Sequence, residues 1–314
     1  MRGLMILNTG QRTDIPAFYS DWFLQRVREG FVLVRSPYDP HLVTRYLINP
    51  SVVDAIAFCT KNPLPMLDHL SELSAYRMFW FVTITPYGKD IEPRLPDKRR
   101  IVEGFRKLSG IVGADHTALR YDPVFINETY PIEKHIRAFE RLCTLLEGST
   151  HMAVISFLDL YEKTKRNFPE GKEASEQERL MIGEAFARSC QNHGIRPYTC
   201  LEGTDLARFG FDCSGCMSKT VLEHALNIDL SVPSSKASIR PGCTCLIGSD
   251  IGAYNSCGHG CRYCYANESE AAVRRTMAQH DPSSPLLIGH LQPEDRVHDT
   301  LQKSWINLQL HLDL

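Results

Sequence analysis

The stretch VVDAIAFCTKNPLPMLDHLSELSAYRMFWFVTITPY (52–87) contains two apolar runs of strand length, separated by a segment in which charged residues recur at helical spacing. Short apolar runs bounded by turn residues are typical of buried strands, and the intervening pattern is typical of a helix. The stretch therefore predicts a strand, a helix and a second strand. When such units repeat along a chain, they favour a parallel sheet covered by helices.

The same unit repeats on both sides of this stretch. The predicted strands are MILNTG (5–10), FVLVRSP (31–37), VVDAIAFCT (52–60), FWFVTITPY (79–87), TALRYDP (117–123), MAVISFLDL (152–160) and IRPYTC (195–200). The predicted helices are Ile15–Glu29, Leu64–Ala75, Asp97–Val112, Ile132–Leu146 and Ser175–Gly194. We therefore predict the α/β class, as a partial TIM-like βα barrel over residues 1–199, with a cysteine-rich C-terminal region over residues 200–314 packed on it.

Polar residues follow most of the predicted strands. Active-site residues of a βα barrel cluster at the carboxyl ends of the strands, so this recurrence predicts one site. A single pair such as Arg120 and Asp122 is equally well explained as a structural ion pair. The candidate residues are Arg12 and Asp14 after the first strand, Cys59 and Lys61 at the third, Thr83 at the fourth, Arg120 and Asp122 at the fifth, Ser156 at the sixth, and Glu202 after the seventh.

A cysteine triplet with the spacing C-x₃-C-x₂-C occurs in CGHGCRYCYAN (257–267), where Tyr263 precedes the last cysteine. Three thiolates, from Cys257, Cys261 and Cys264, leave one iron of a four-iron cluster without a protein ligand, so that a small chelating molecule can bind it. Zinc is the alternative, because short cysteine spacings also form tetrahedral structural sites.

The chain has eleven cysteines, and eight of them lie from Cys200 onward. Those outside the triplet are Cys200, Cys213, Cys216, Cys243 and Cys245, one more than a second four-iron cluster needs. We therefore expect an auxiliary iron–sulfur cluster; the alternative is a zinc knuckle formed by the C-x₂-C and C-x-C pairs. The start MRGLMILNTG lacks the features of a secretory signal, which predicts a cytoplasmic protein whose clustered cysteines bind metal instead of forming disulfides.

Composition sets looser limits on partners. With 314 residues and 43% hydrophobic content, the chain can bury a full core. The formal charge is −2, from 35 Lys and Arg against 37 Asp and Glu, and no long basic run occurs, so nucleic acid is not the expected partner. No apolar run reaches the length of a membrane span, and we expect no membrane association. Balanced charge and a barrel pocket favour a small polar substrate, such as a nucleoside or a sugar.

Several of these segments together resemble the DUF1848 family over nearly the whole chain. They are RTDIPAFYSDWF (12–23), CTKNP (59–63), TITPYG (83–88), RYDP (120–123), SFLDLY (156–161), SDIGAY (249–254) and CGHGCRYCYA (257–266). The cysteine cluster is similar to that of radical S-adenosylmethionine (radical SAM) enzymes, with a weaker similarity to spore photoproduct lyases. In the radical SAM superfamily the triplet normally follows the first barrel strand, whereas here it follows the seventh predicted strand. The resemblance therefore implies a circularly permuted radical SAM core.

The resemblance also implies a chemistry. The triplet would hold three irons of a [4Fe-4S] cluster, S-adenosylmethionine would chelate the fourth, and an electron from a donor such as flavodoxin or ferredoxin would release a 5′-deoxyadenosyl radical that takes a hydrogen atom from the substrate. Tyr263 would pack near the adenine. In the loop, Gly258 and Gly260 would allow a tight bend, while His259 would either hydrogen-bond a sulfide or be an exposed loop histidine. Arg12, Asp14, Thr83 and Ser156 would contact the cofactor, and Cys59, Lys61, Arg120 and Asp122 would act on the substrate.

Cys59 departs from the family pattern, in which we expect an aromatic residue before the Thr-Lys pair. Together with the surplus cysteines, it suggests that the auxiliary cluster donates sulfur to a substrate carbon radical. An oxidation or an epimerisation, with the auxiliary cluster in electron transfer, is the alternative reaction. Two further readings remain open from the sequence: a nucleic-acid repair enzyme similar to spore photoproduct lyase, and a non-enzymatic iron–sulfur or zinc-binding protein.

Overall fold

The computed structural model of the protein describes residues 6–232, 243–246 and 248–307. Within these residues the main sheet has seven strands, and every neighbouring pair in it is parallel. From one edge to the other, its strands are β8 (Arg196–Thr199), β7 (Met152–Phe157), β6 (Thr117–Val124), β5 (Met78–Thr83), β4 (Ala55–Thr60), β1 (Ile6–Asn8) and β9 (Ser249–Asp250). Helices flank this sheet, so the predicted α/β class is confirmed.

A second sheet lies beside the main one and consists of β2 (Phe31–Arg35), β3 (Leu42–Leu47) and β10 (Arg296–Asp299), in the order β10-β3-β2. We predicted that segment 31–37 is the second strand of the main sheet, and this prediction is wrong, because β2 pairs antiparallel with β3. Only residues 36–41 connect the two strands. So short a connection returns the chain antiparallel, whereas a parallel neighbour needs a crossover of about a dozen residues or more.

The helices carry the sequence signals expected at their ends. Their bounds are α1 Ile15–Phe18, α2 Ser20–Glu29, α3 Leu64–Leu67, α4 Lys98–Val112, α5 Ile132–Leu146, α6 Glu162–Asn167, α7 Glu176–Asn192, α8 Lys219–Leu226 and α9 Glu270–Met277, with 3₁₀ turns at Leu70–Leu73, Ala114–His116 and Asp205–Phe209. Ser175 and Glu178 form a capping box at the start of α7, and α2 ends at Gly30 with a φ of 79°. Among the described residues, no helix has the length and apolar character needed to cross a bilayer.

The two faces of the main sheet are covered by different parts of the chain. Ile56, Phe58 and Trp80 belong to a core that includes apolar residues of α2, α4, α5 and α7. Ala57 belongs to a second core, on the opposite face, in which Leu222 of α8 and the segments around α8 cover the sheet. This cover closes the base of the inner face and leaves a cavity at the carboxyl ends of the strands.

The alternation of side chains along each strand determines which residues reach the cavity. Successive side chains of a strand point to opposite faces, so residues two places apart share a face. Ala57 and Ala118 lie in the inner core, and two places further along come Cys59 and Arg120. The same relation holds at the ends of β1, β7 and β8. The inner face therefore changes from apolar side chains at its base to polar side chains and thiols at the carboxyl ends.

Candidate functional site

A cavity of about 300 Å³ opens at the carboxyl ends of the main-sheet strands. It brings together residues that are far apart in the sequence, from β1 to the loop after β9. The candidate site residues named from the sequence border this cavity, with the exceptions of Cys213 and Glu202, which border a neighbouring one. The bordering candidates are Arg12, Asp14, Cys59, Lys61, Thr83, Arg120, Asp122, Ser156, Cys200, Cys216, Cys243, Cys245, Cys257, Cys261, Tyr263 and Cys264.

The triplet loop follows β9, and two backbone hydrogen bonds join it to the segment after β5. The amide of Arg262 donates to the carbonyl of Ile91 at 3.0 Å, and the amide of Arg94 donates to the carbonyl of His259 at 3.2 Å. Gly260 has a φ of 72°, in the left-handed region that favours glycine, which agrees with the tight bend expected there. The triplet loop therefore lies against the segment after β5 and is joined to it through the backbone.

The triplet cysteines are half-buried at the border of the cavity, and this partial removal from solvent changes the protonation of their thiols. Burial raises the pKa of Cys257 and Cys264, and it raises the pKa of Cys261 to about 12. Without a bound cation these groups are neutral thiols at physiological pH, and metal binding would displace their protons. In the described part of the chain, no three His, Cys, Asp or Glu side chains stand close enough together to hold one metal ion.

Asp14 connects the first loop of the chain to the triplet loop. Its Oδ1 caps α1 by accepting from the amide of Ala17 at 3.1 Å, and its Oδ2 accepts from the amide of Lys61 at 2.7 Å and from Nε2 of His259 at 2.8 Å. His259 is only 3% exposed, so the expectation of an exposed loop histidine is wrong. Its Nδ1 is buried and has no hydrogen-bond partner among the described residues.

Glu92, in the segment after β5, was not found by sequence reasoning. It is 1% exposed and accepts hydrogen bonds from Lys61, Lys98, Thr85 and Tyr263. Burial alone would raise the pKa of Glu92, but the two lysine ammonium groups lower this pKa to about 2. A lone glutamate in GKDIEPR (88–94) carries no motif, so no signal in the sequence points to it.

Arg120 lies between the polar ring and the cysteines. Its Nε donates to Oδ2 of Asp122 at 2.6 Å, and its Nη1 lies 3.7 Å from Sγ of Cys216. Burial alone would lower the pKa of Arg120, but Asp122 and the neighbouring cysteines raise it well above its ordinary value. Burial also raises the pKa of Cys59 to about 12. The predicted Arg120–Asp122 ion pair is therefore present and faces the cavity.

The second cysteine group surrounds a neighbouring cavity of about 400 Å³. This cavity shares Cys200, Cys243 and Cys245 with the main one, and it is also bordered by Cys213. Sγ of Cys216 lies 3.8 Å from Sγ of Cys245, so Cys216 adjoins the three shared cysteines at the wall between the two cavities, whereas Cys213 borders the second cavity alone.

A carboxyl group completes that wall. Oε1 of Glu202 accepts from the hydroxyl of Ser156 at 2.9 Å and from the amide of Phe157 at 2.8 Å. Burial raises the pKa of Glu202 to about 7. The hydroxyl of Ser156 therefore borders the main cavity and is held in place by Glu202, which borders the neighbouring cavity. Arg12 is held in a similar way, because its guanidinium binds both the side chain and the carbonyl of Asp250.

Comparison with known proteins gives a family and nothing closer. No curated protein and no solved structure matches the chain significantly. One family profile, described as a domain of unknown function and designated DUF1848, matches residues 6–266. Because this match spans most of the chain and includes both the main-sheet strands and the triplet loop, the protein belongs to the DUF1848 family.

Proposed function

We propose that the protein is a radical SAM enzyme, in which Cys257, Cys261 and Cys264 hold three irons of a [4Fe-4S] cluster and S-adenosylmethionine completes the fourth. The observation that carries this proposal is that the triplet borders the same cavity as the polar strand-end residues. A motif that was only a zinc knuckle would have no reason to face a ring of polar residues at the carboxyl ends of a parallel sheet.

The donor set fits such a cluster. Three thiols are soft ligands of the kind that iron–sulfur clusters and zinc prefer. The triplet thiols border the open volume of the cavity, as a group of several atoms requires. In addition, the unpartnered Nδ1 of His259 provides a buried polar atom in the loop itself.

The position of the loop supports a permuted radical SAM core. β9 is the edge strand beside β1, and the triplet follows β9, so the loop stands where it would stand if β9 were the first strand of the sheet. We propose that the seven parallel strands correspond to a partial barrel of that type. The inner face is then closed by α8 at its base and by the cofactor site at the carboxyl ends.

The chemistry supplied at this site would be the one-electron cleavage of S-adenosylmethionine to methionine and a 5′-deoxyadenosyl radical, which takes a hydrogen atom from the substrate. Lys61 presents an ammonium group beside the triplet, 5.4 Å above the ring of Tyr263. The ring of Tyr263 is buried beside Tyr87 and offers an apolar surface for the adenine. Thr83 and Ser156 border the cavity with hydroxyl groups that can donate to or accept from a polar ligand.

For the second cysteine group we propose an auxiliary iron–sulfur cluster and, as the reaction, sulfur insertion into a small polar substrate. The shared wall of the two cavities supports this, because it brings Cys59 and the auxiliary thiols to the substrate side. An oxidation or epimerisation would use the same arrangement without sulfur loss. An electron donor such as flavodoxin or ferredoxin is required in either case.

The test is anaerobic reconstitution followed by a count of iron and sulfide, and incubation with dithionite and S-adenosylmethionine. We expect about eight irons per chain, from two four-iron clusters, and release of 5′-deoxyadenosine. A Cys261→Ala variant should lose the nucleoside, whereas Cys143→Ala, at a buried cysteine that does not border the cavity, should keep it. Bound zinc without cleavage would overturn the proposal and would favour a metal-stabilised binding protein. Sulfide that is unchanged after turnover would overturn the sulfur insertion alone.

A further inference from the structure

The carboxylate of Glu92 joins the side chain of Lys61 to the side chain of Tyr263, in addition to the link that Asp14 makes between the Lys61 amide and His259. Its Oε1 accepts from Nζ of Lys61 at 2.9 Å and from the hydroxyl of Tyr263. Its Oε2 accepts from the hydroxyl of Thr85 at 2.9 Å and from Nζ of Lys98. Lys61 stands at the end of β4, while Tyr263 lies within the triplet loop, so a single oxygen ties a main-sheet strand to that loop.

The segment that carries Glu92 is also the one that holds the loop backbone. The carbonyl of Ile91 accepts from the amide of Arg262, and the amide of Arg94 donates to the carbonyl of His259. The residues on either side of Glu92 therefore fix the loop backbone, while Glu92 fixes its buried aromatic side chain. Since Glu92 does not border the cavity, its effect on the site must act through these neighbours.

The charges of this network do not cancel. One carboxylate faces two ammonium groups, so the three ionised side chains of Glu92, Lys61 and Lys98 carry one net positive charge in a buried region. Of the two ammonium groups, Lys61 is the one that borders the cavity. Its contact with Glu92 uses one of its three N–H donors and leaves the others available on the cavity side.

We propose that Glu92 is a positioning residue, which holds the ammonium of Lys61 and the triplet loop in one fixed relation to each other. Its role toward a bound cluster rests on the proposed function, whereas its role toward the loop does not. Without Glu92 the loop keeps its backbone hydrogen bonds, but the hydroxyl of Tyr263 loses the carboxylate that holds it. The ammonium group of Lys61 also loses the partner that fixes its orientation.

The test measures the reactivity of the triplet thiols in the full-length chain without iron. The triplet thiols are partly exposed at the cavity, so the alkylation rate of each cysteine by iodoacetamide, followed by mass spectrometry, reports how firmly the loop holds them in place. All four hydrogen bonds to the carboxylate are lost in Glu92→Met/Lys98→Met, among them the two from Lys61 and Tyr263, while the net charge of the natural network is retained. We expect the triplet cysteines to react about tenfold faster or more in this variant.

Two matched variants separate the anchor from the charge. Lys98→Met alone keeps the whole of Glu92, and Glu92→Gln/Lys98→Met keeps one acceptor oxygen for Lys61 and Tyr263, so both should react at nearly the natural rate. Tyr263→Phe removes only the hydroxyl that anchors the loop and should also accelerate the reaction of Cys257 and Cys261. This last variant serves as the test if the double methionine variant does not fold.

The outcomes divide clearly. Natural rates in both Glu92→Met/Lys98→Met and Tyr263→Phe would overturn the proposal. An equal acceleration at the buried Cys143 and Cys190 would also overturn it, because Glu92 would then stabilise the whole fold and not the loop. Because the chain carries no iron in this experiment, these results stand apart from the proposed function, which fails separately if the natural protein takes up no iron or does not cleave S-adenosylmethionine.

Discussion

Lowering the pH from about 7.5 to about 5.5 should destabilise the protein through His135, and a His135→Gln variant should lack that contribution. His135 is 0% exposed; its Nε2 lies 2.8 Å from the carbonyl oxygen of Phe125 and its Nδ1 lies 3.0 Å from the hydroxyl of Tyr121. Since a carbonyl only accepts, Nε2 donates to it and Nδ1 accepts from the hydroxyl, so the neutral ring satisfies both partners. Burial lowers the pKa of His135 to about 4.

The sign and the size follow from proton linkage. In the unfolded chain the histidine has an ordinary pKa of about 6.5, so between about pH 4 and about pH 6.5 the unfolded state binds more protons than the folded state. This contribution to the free energy of unfolding is therefore complete above the unfolded pKa and is lost as the pH falls. The loss is about 1.4 kcal/mol at about pH 5.5 and reaches about 3.4 kcal/mol below the folded pKa.

The assay is urea unfolding of the wild type and of His135→Gln at both pH values. The pKa values of His193 and Glu202 are raised, so their contributions to the free energy of unfolding increase over the same fall in pH. The wild-type profile alone therefore does not isolate the contribution of His135. The difference between the two proteins does isolate it, because both share the other groups. An equal pH dependence in the two proteins, or a His135 ring that titrates near its ordinary pKa by NMR, would refute the reasoning.

Three further predictions concern the loops that border the cavity. Gly260 and Gly289 have φ values of 72° and 71°, but a Cβ on Gly260 would lie 3.1 Å from Arg94, whereas none of the described atoms lies within 4 Å of a Cβ on Gly289. In urea unfolding, the free energy of unfolding should fall by about 1 kcal/mol or more in both alanine variants. The fall should be larger for Gly260→Ala, and equal losses would contradict this. Gly10→Ala places a Cβ 2.3 Å from both the Cβ and the carbonyl oxygen of Cys59, so it should cost about 1–3 kcal/mol. Cys59→Ala should not rescue it, and full rescue would show that the strands move apart freely. Asp14→Ala should lower the free energy of unfolding by about 1–2 kcal/mol. Asp14→Asn should lower it less, because asparagine keeps an acceptor oxygen for the start of α1, and similar losses would mean that capping is not the main role of Asp14.

The parallel core was predictable because its strands are buried on both faces. β5 is one continuous apolar run, and the strands on either side of it in the sheet are similarly apolar. The segments that connect these strands are long enough for a crossover helix. β2 has the same apolar composition and was therefore assigned to the same sheet, because β3, which follows after a short connection and pairs antiparallel with it, was not predicted as a strand. β9 has only two residues, Ser249–Asp250, and no run of any kind, so its pairing with β1 could not be read from composition.

The site was predictable to the extent that topology determines it. Strand ends on one side of a parallel sheet meet, so Cys59, Arg120 and Ser156 come together wherever the sheet forms. Glu92 does not follow this rule, because it lies in a loop behind the cavity and its importance depends on which donors the fold brings to it. The burial of His259 was missed for the same reason, since Asp14 is distant in the sequence.

The short strand β9 explains why the triplet could not be located from its own motif. Two residue pairs with β1 are too few to hold a strand by themselves, and the remaining contacts come from the first loop of the chain. Arg12 binds the side chain and the carbonyl of Asp250, and the hydroxyl of Tyr265 donates to the carbonyl of Gln11 at 2.6 Å. The first loop and the triplet loop therefore fix each other at the edge of the sheet. Arg12, which the sequence suggested as a cofactor contact, holds β9 and thereby helps to fix the position of the cysteines, so the triplet loop is in place only when β9 is held beside β1 at that edge.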